Sequence, residues 1–320
     1  MKWFRSIYSF PYMSHKKWWF TFSAIVICAG LLSIFIRGGG NPVHGFNFGL
    51  EFKTGTRIDV QLTKPATVGD IRGIVTARGI STSVIQQTTG SSVGRSAFQI
   101  QTETLTPDSE AALRAALDKA YVIADSGKAY SSQTVGATFG KDVITASYKA
   151  VAIALLLILI YVSLRFEWKF AIGAIAAELH DLLVVVGVYS LAGRQVTTAS
   201  IAAVLTILGY SLYDTVIVFD RIRENAPRMR TVRYGSMVDR SIWETLTRSI
   251  NTTLTVLLPV VCLLAFGGAT LKDFAFALLV GILSGAYSSI FIASPVATLL
   301  KEREPQNRKL IAKTARAAKA

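Results

Sequence analysis

The strongest chemical signal in this chain is a carboxylate inside a run of lipid-compatible residues. Asp214 lies within AAVLTILGYSLYDTVIVFDRIREN, from Ala202 to Asn225. A charged acid at a helix centre in a bilayer costs roughly 2.5–3.5 kcal/mol on insertion scales, so it is expected to face a partner or a water-filled path. A second apolar run carries Glu178, His180 and Asp181. Glu178 and Asp181 are three residues apart and share a helix face. A third run begins at Arg248, in TLTRSINTTLTVLLP, and Thr252 falls on the same face one turn later. The chemistry these types support is proton uptake and release by acids whose charge a guanidinium can stabilise. By position alone, Arg248 is equally a topology anchor, and Glu178 is equally a structural partner of His180 or Arg248.

The elements that must position these groups are six apolar runs: Trp18–Ile36, about Ser147–Leu164, Phe170–Leu191, about Ala199–Phe219, Ser249–Phe266 and Phe274–Leu300. Each is near the roughly 20 residues that cross a bilayer. The first has Trp18 and Trp19 as interfacial anchors, and it reads as an uncleaved span rather than a signal peptide. Gly281 and Gly285 form a GxxxG packing motif in the sixth, and Pro259 can kink the fifth.

Composition agrees with a polytopic membrane protein. Hydrophobic residues make up 51% and mean hydropathy is +0.43. The formal charge of +14 could suggest nucleic acid, but its distribution points to topology instead. Half of the Lys and Arg residues lie in segments 1–17, 220–243 and 301–320, each beside an apolar run. This is the positive-inside pattern, with both termini, the turn at 165–169 and the loop at 220–243 on the cytoplasmic side. No nucleic-acid partner is expected. Cys28 and Cys262 both sit in apolar runs, so no disulfide framework is implied.

At 1.5 Å per residue, Asp214, Glu178 and Asp181 are about 8, 14 and 18 Å from the cytoplasmic edge. With Arg248 close to that edge, these groups can form one polar network in the inner half of the bilayer.

Residues 37–146 differ in character, with nearly balanced charge after the linker GGGNP. Thr56–Leu62 alternates like a strand, Thr67–Ile80 and Thr106–Tyr121 begin with capping residues and read as helices, and TSVIQQT and SAFQIQT read as strands. The β-α-β-β-α order suggests a ferredoxin-like α+β domain. It carries no metal-ligand spacing, phosphate loop or nucleophile motif, so neither a cofactor nor a soluble catalytic site is expected. The organisation expected is a cytoplasmic N-terminus (1–17), a first transmembrane helix (18–36), an extracytoplasmic α+β domain (37–146), transmembrane helices two to six (147–300) and a basic cytoplasmic tail (301–320).

Several strings in the chain resemble the SecF family of protein-export membrane proteins: YVSLRFEWKFAIGAIAAELHD, LGYSLYDTVIVFDRIREN, TLTRSINTT and LKDFAFALLVGILSGAYSSIFIASP. The resemblance covers essentially the whole chain. It implies half of a resistance-nodulation-division fold and a non-enzymatic, proton-driven subunit that promotes export of unfolded polypeptide across the bacterial cell membrane. It also implies association with SecD, the SecYEG channel and the SecA ATPase. Within its motifs, the membrane acid of the fourth span falls on Asp214 and the arginine of the fifth on Arg248. Thr252 resembles a third polar member, and Asp181 matches a His-Asp pair in the third span. FGLEFKTGT (Phe48–Thr56) departs from the family's FGIDFTGGT, and Glu178 stands where an apolar residue is expected. A related exporter of lipids or small molecules would share the fold and the proton site, but would usually carry both halves in one chain.

Overall fold

A computed structural model describes residues 10–41, 45–52, 55–80, 82–88, 96–125, 129–229, 231–305 and 307. The chain divides into two compact units, one spanning Phe48–Tyr148 and the other formed by the chain up to Asn47 and from Lys149 onward.

The smaller unit is built from β1 (Gly55–Leu62), α2 (Val68–Thr76), β2 (Thr82–Thr88), β3 (Ser96–Thr102), α3 (Pro107–Tyr121) and β4 (Tyr130–Val135), α1 lying earlier in the chain. The sheet order is β2-β3-β1-β4 and every pair is antiparallel. This is the split βαβ topology of a ferredoxin-like fold. β4, a mostly exposed edge strand of sequence YSSQTV, was not marked by apolar alternation. Alternate residues of β1 and β3 point inward, and Ile58, Val60, Leu62, Phe98 and Ile100 pack against Ile71 and Val75 of α2 and Leu113 and Leu117 of α3. Both helices start where a hydroxyl satisfies free backbone donors. Thr67 forms a reciprocal capping box with Asp70, and Thr106 accepts from the Ser109 amide. These two backbone and side-chain bonds from Thr67 hold the exposed Asp70 carboxyl below its ordinary pKa.

Among the described residues six helices are long and apolar enough to cross a membrane, and all lie in the larger unit except the first turns of one, which belong to the smaller. They are α1 (Lys16–Arg37), α4 (Ala137–Arg165), α5 (Trp168–Leu191), α6 (Thr198–Asn225), α7 (Tyr234–Phe266) and a composite sixth. The sixth consists of α8 (Ala269–Ser288), a π turn at Ser289–Ala293 and α9 (Ser294–Glu302). α5, α6 and the sixth helix form the buried centre, whereas α1, α4 and α7 leave most of their apolar surface outward. Glycines allow close approach: a Cβ on Gly281 would lie 2.2 Å from Ile207 Cδ1, and one on Gly30 2.4 Å from Gly187 Cα.

Two helices start earlier than the apolar runs suggest. α4 begins ten residues before Ser147, and α7 begins at Tyr234, so most of the expected loop at 220–243 is helical. Hydropathy marks only the part of a helix that lies in hydrocarbon. The extensions are held by other forces: Met237, Val238 and Ile242 are buried in the main core, while Arg240 pairs with Glu244 one turn on.

Candidate functional site

α5 places Asp181 at the centre of the larger unit, fully buried, where two other helices supply it with three hydroxyl donors. Ser211 of α6 donates to Oδ2 at 2.7 Å, as does Ser288 of α8, and Ser284 donates to Oδ1 at 2.6 Å. His180 Nδ1 lies 3.1 Å from Oδ1. Each carboxyl oxygen thus has two polar contacts, one for each of its lone pairs. Ser284 and Ser288 are one turn apart and share a face. The π turn then directs the adjacent Ser289 at α6, where its hydroxyl meets Thr215 at 2.8 Å. Such turns frequently occur at functional sites.

Asp214, on α6 three residues after Ser211, is 1% exposed. Ser249 of α7 reaches its Oδ1 at 3.5 Å, while Oδ2 has no hydrogen-bond partner among the described residues. The Thr253 hydroxyl on α7 is likewise buried without a partner. Arg248 is exposed and donates to the Tyr213 hydroxyl at 3.0 Å, one residue from Asp214. No ion pair joins Arg248 to an acid among the described residues. Thr252 spends its hydroxyl on the backbone carbonyls of Arg248 and Ser249, both at 3.0 Å. Glu178 is fully buried, and neither carboxyl oxygen has a hydrogen-bond partner among the described residues.

Of the five residues singled out by position, Asp181 and Asp214 are linked only through α6, where Ser211, bonded to Asp181, lies one turn before Asp214. Glu178 is buried without a hydrogen bond to either. Arg248 and Thr252 lie on the α7 side of Asp214 without bonding it. The serines at 211, 249, 284 and 288 carry no distinguishing mark as residue types, because small hydroxyl residues are common in packed membrane helices. The spacing of Ser284 and Ser288 was the one available signal.

The charged end of the DTVIVFDRIREN string has its own role. Asp220 pairs with Arg223 at 2.6 Å and with Arg165 of α4 at 3.6 Å. Arg221 pairs with Glu224 at 2.7 Å and with Glu244 of α7 at 2.6 Å. Asn225 donates to Ser241 and Glu244 at 3.0 and 2.8 Å. This network joins the ends of three helices around the polar centre. No cluster of three or more His, Cys, Asp or Glu suited to a metal ion occurs among the described residues.

The profile described as protein export membrane protein SecD/SecF, C-terminal, matches residues 117–303, which include the whole polar centre. The chain belongs to the SecD/SecF family. The family's GG motif profile also matches, over residues 42–66, despite the variant string there. Thr54 of that string lies outside the described residues, whereas Gly55 has φ +151°, a conformation that favours glycine. Protein translocase subunit SecF of Thermodesulfovibrio yellowstonii is 36% identical, over 87% of this chain and 90% of that protein. Protein translocase subunit SecDF of Thermus thermophilus is 36% identical over 87% of this chain. The chain spans only 38% of the length of that fused relative. A crystal structure of SecDF from Thermus thermophilus, described as a translocon-associated membrane protein, superimposes with a TM-score of 0.77. The match has 33% identity and covers 92% of this chain and 39% of that one. Family membership and the six crossing helices make this a multi-pass membrane protein.

Proposed function

We propose that this chain is an auxiliary subunit of the Sec protein translocase. It works with SecD to convert the proton motive force into late-stage movement of unfolded polypeptide across the cell membrane, and it is not an enzyme. The observation that carries the reading is the pair of buried acids, Asp181 and Asp214, on crossing helices whose buried side chains are mostly apolar or small. A scaffold would gain nothing from two acids at that depth, whereas a proton-coupled machine needs them. Asp214 is the proton carrier, with one carboxyl oxygen free for a new contact. Arg248 stabilises its ionised form, and Thr252, Asp181 and Glu178 complete the relay. Each proton that crosses the field releases about 2.3 kcal/mol per 100 mV.

Several features support a partner within the membrane. Tyr213, Arg248 and Asn251 are exposed on α6 and α7, where lipid tails offer their polar groups no hydrogen bonds. The fused SecDF relatives join this half to a second one, which makes SecD the fitting occupant of that face. The SecYEG channel and the SecA ATPase complete the assembly. The basic segments favour cytoplasmic termini and an outside position for the smaller α+β unit, where it would meet the emerging polypeptide. A proton-driven exporter of lipids or small molecules is the second reading, favoured only by the shared fold.

The test is export of a reporter protein into membrane vesicles containing the full complex. Stimulation that disappears when an ionophore collapses the proton gradient is expected. Stimulation that persists without a gradient would reject the coupling, and gradient-driven movement of lipid with no effect on the reporter would favour the second reading.

A further inference from the structure

His180 is the one buried histidine among the described residues, and its surroundings define its proton count. The ring lies between Asp181 on its own helix, Ser23 of α1 and Tyr287 of α8. Nδ1 is 3.1 Å from Asp181 Oδ1, and Nε2 is 3.0 Å from Ser23 Oγ. Ser23 Oγ lies 3.2 Å from the Tyr287 hydroxyl, which itself donates to the Trp19 carbonyl at 3.0 Å. The ring stacks on Tyr287, with centroids 5.8 Å apart.

Hydrogens can be counted along this chain. The Trp19 carbonyl has none to give, so it takes the Tyr287 proton. The Tyr287 oxygen then accepts from Ser23, which spends its only hydroxyl proton. Ser23 can bond the ring only as an acceptor, so Nε2 must carry a hydrogen. With Asp181 ionised, Nδ1 faces a carboxylate whose other sites are filled by the hydroxyls of Ser211, Ser284 and Ser288, so it too donates. Both nitrogens are donors only in the imidazolium form. Asp181 is the one charged side chain bonded to the ring among the described residues.

We propose that His180 is a proton-bearing positioning residue. As an imidazolium it pairs with the Asp181 carboxylate and, through Ser23 and Tyr287, ties the first crossing helix to the sixth. When the ring gives up one proton, Nε2 becomes an acceptor, Ser23 turns its hydroxyl to it, and the bond from Ser23 to Tyr287 is lost. A cavity of about 320 Å³ lined by Ser23, His180, Ser284 and Tyr287 among apolar residues lies beside the ring. α1 is the helix that leads in sequence to the smaller unit, so the switch acts on the connection that a proton-driven movement would use. The inference rests on the proton-coupled reading of this centre.

Nitrogen NMR of the full-length protein in lipid bilayers tests it, using the His15→Gln, His44→Gln double variant so that His180 is the only ring. At neutral pH both ring nitrogens should be protonated. Asp181→Asn should convert the ring to a form with one protonated nitrogen, and Ser23→Ala should lower the doubly protonated population several-fold. A singly protonated ring in the parent, or a doubly protonated ring that survives Asp181→Asn, would overturn the proposal. If the double variant does not insert, the difference between the native and His180→Gln spectra gives the same reading. The spectra need neither a gradient nor export. Failure of gradient-dependent export would sink the proposed function and leave them unchanged, and a neutral ring would sink only the switch.

Discussion

The two units of this chain use opposite solutions to the same physical problem. In the smaller unit, Ile58, Phe98, Leu113 and Leu117 are enclosed, and charged residues such as Arg57 and Asp59 pair on the sheet's other face. In the larger unit, acids and serines occupy the centre, and Leu157, Leu164, Leu254, Leu258 and Phe266 face outward. Water drives the first arrangement by excluding apolar surface. In the second, lipid offers apolar residues nothing to gain by hiding, so close contact of small residues and internal hydrogen bonds hold the helices together. Exposed leucine thus has different meanings in the two halves, and so does a buried acid.

The contrast can be broken by substitution. Phe98→Ala should cost the smaller unit about 3–5 kcal/mol, the usual range for an aromatic removed from an aliphatic core. Hydrogen exchange of β1 and β3 amides in the full chain measures this, and helices α5 and α6 should keep their protection. Gly281→Ala should act the other way round. One added methyl meets Ile207 and costs about 1–3 kcal/mol by overpacking. Thermal unfolding in detergent should show it, without change in β-strand protection.

Smaller effects sharpen the picture at the surface of the sheet unit. Thr106→Ala removes the cap of α3 and should cost about 1 kcal/mol, read as faster exchange of its first-turn amides. Asp70 tests the sign of the electrostatics. Its carboxyl is held below the ordinary value of 3.8 when folded, so its contribution is present above that pH and lost as pH falls below it. Protection of α2 should therefore fall in that acid range, and Asp70→Asn should remove that dependence.

The six crossing runs, the two capped helices and Asp214 were legible because each depends on local pattern: apolar length, a hydroxyl at a helix start, or a charge where lipid forbids one. The cage around Asp181 was not, since Ser211 lies 30 residues from it and Ser288 107 residues from it. Nothing in a serine's type says whether its hydroxyl bonds its own helix, as Thr252 does, or a distant acid. The start of α7 at Tyr234 was hidden for a related reason. Its first turns are stabilised by Arg240, Glu244 and contacts to α6, which hydropathy does not score. Arg248 illustrates the limit of face arguments: it shares a face with Thr252, yet its guanidinium is bonded to Tyr213 and not to Asp214.

The central claim is that Asp214 carries the proton that powers movement, and Asp214→Asn addresses it most directly. The amide keeps size and polarity but cannot hold the charge. Reporter export would be measured in vesicles with an imposed proton gradient and with the gradient collapsed, after matching the amount of inserted protein. The account predicts normal insertion and complete loss of the gradient-dependent part of export. Gradient-dependent export at the native level in this variant would contradict it.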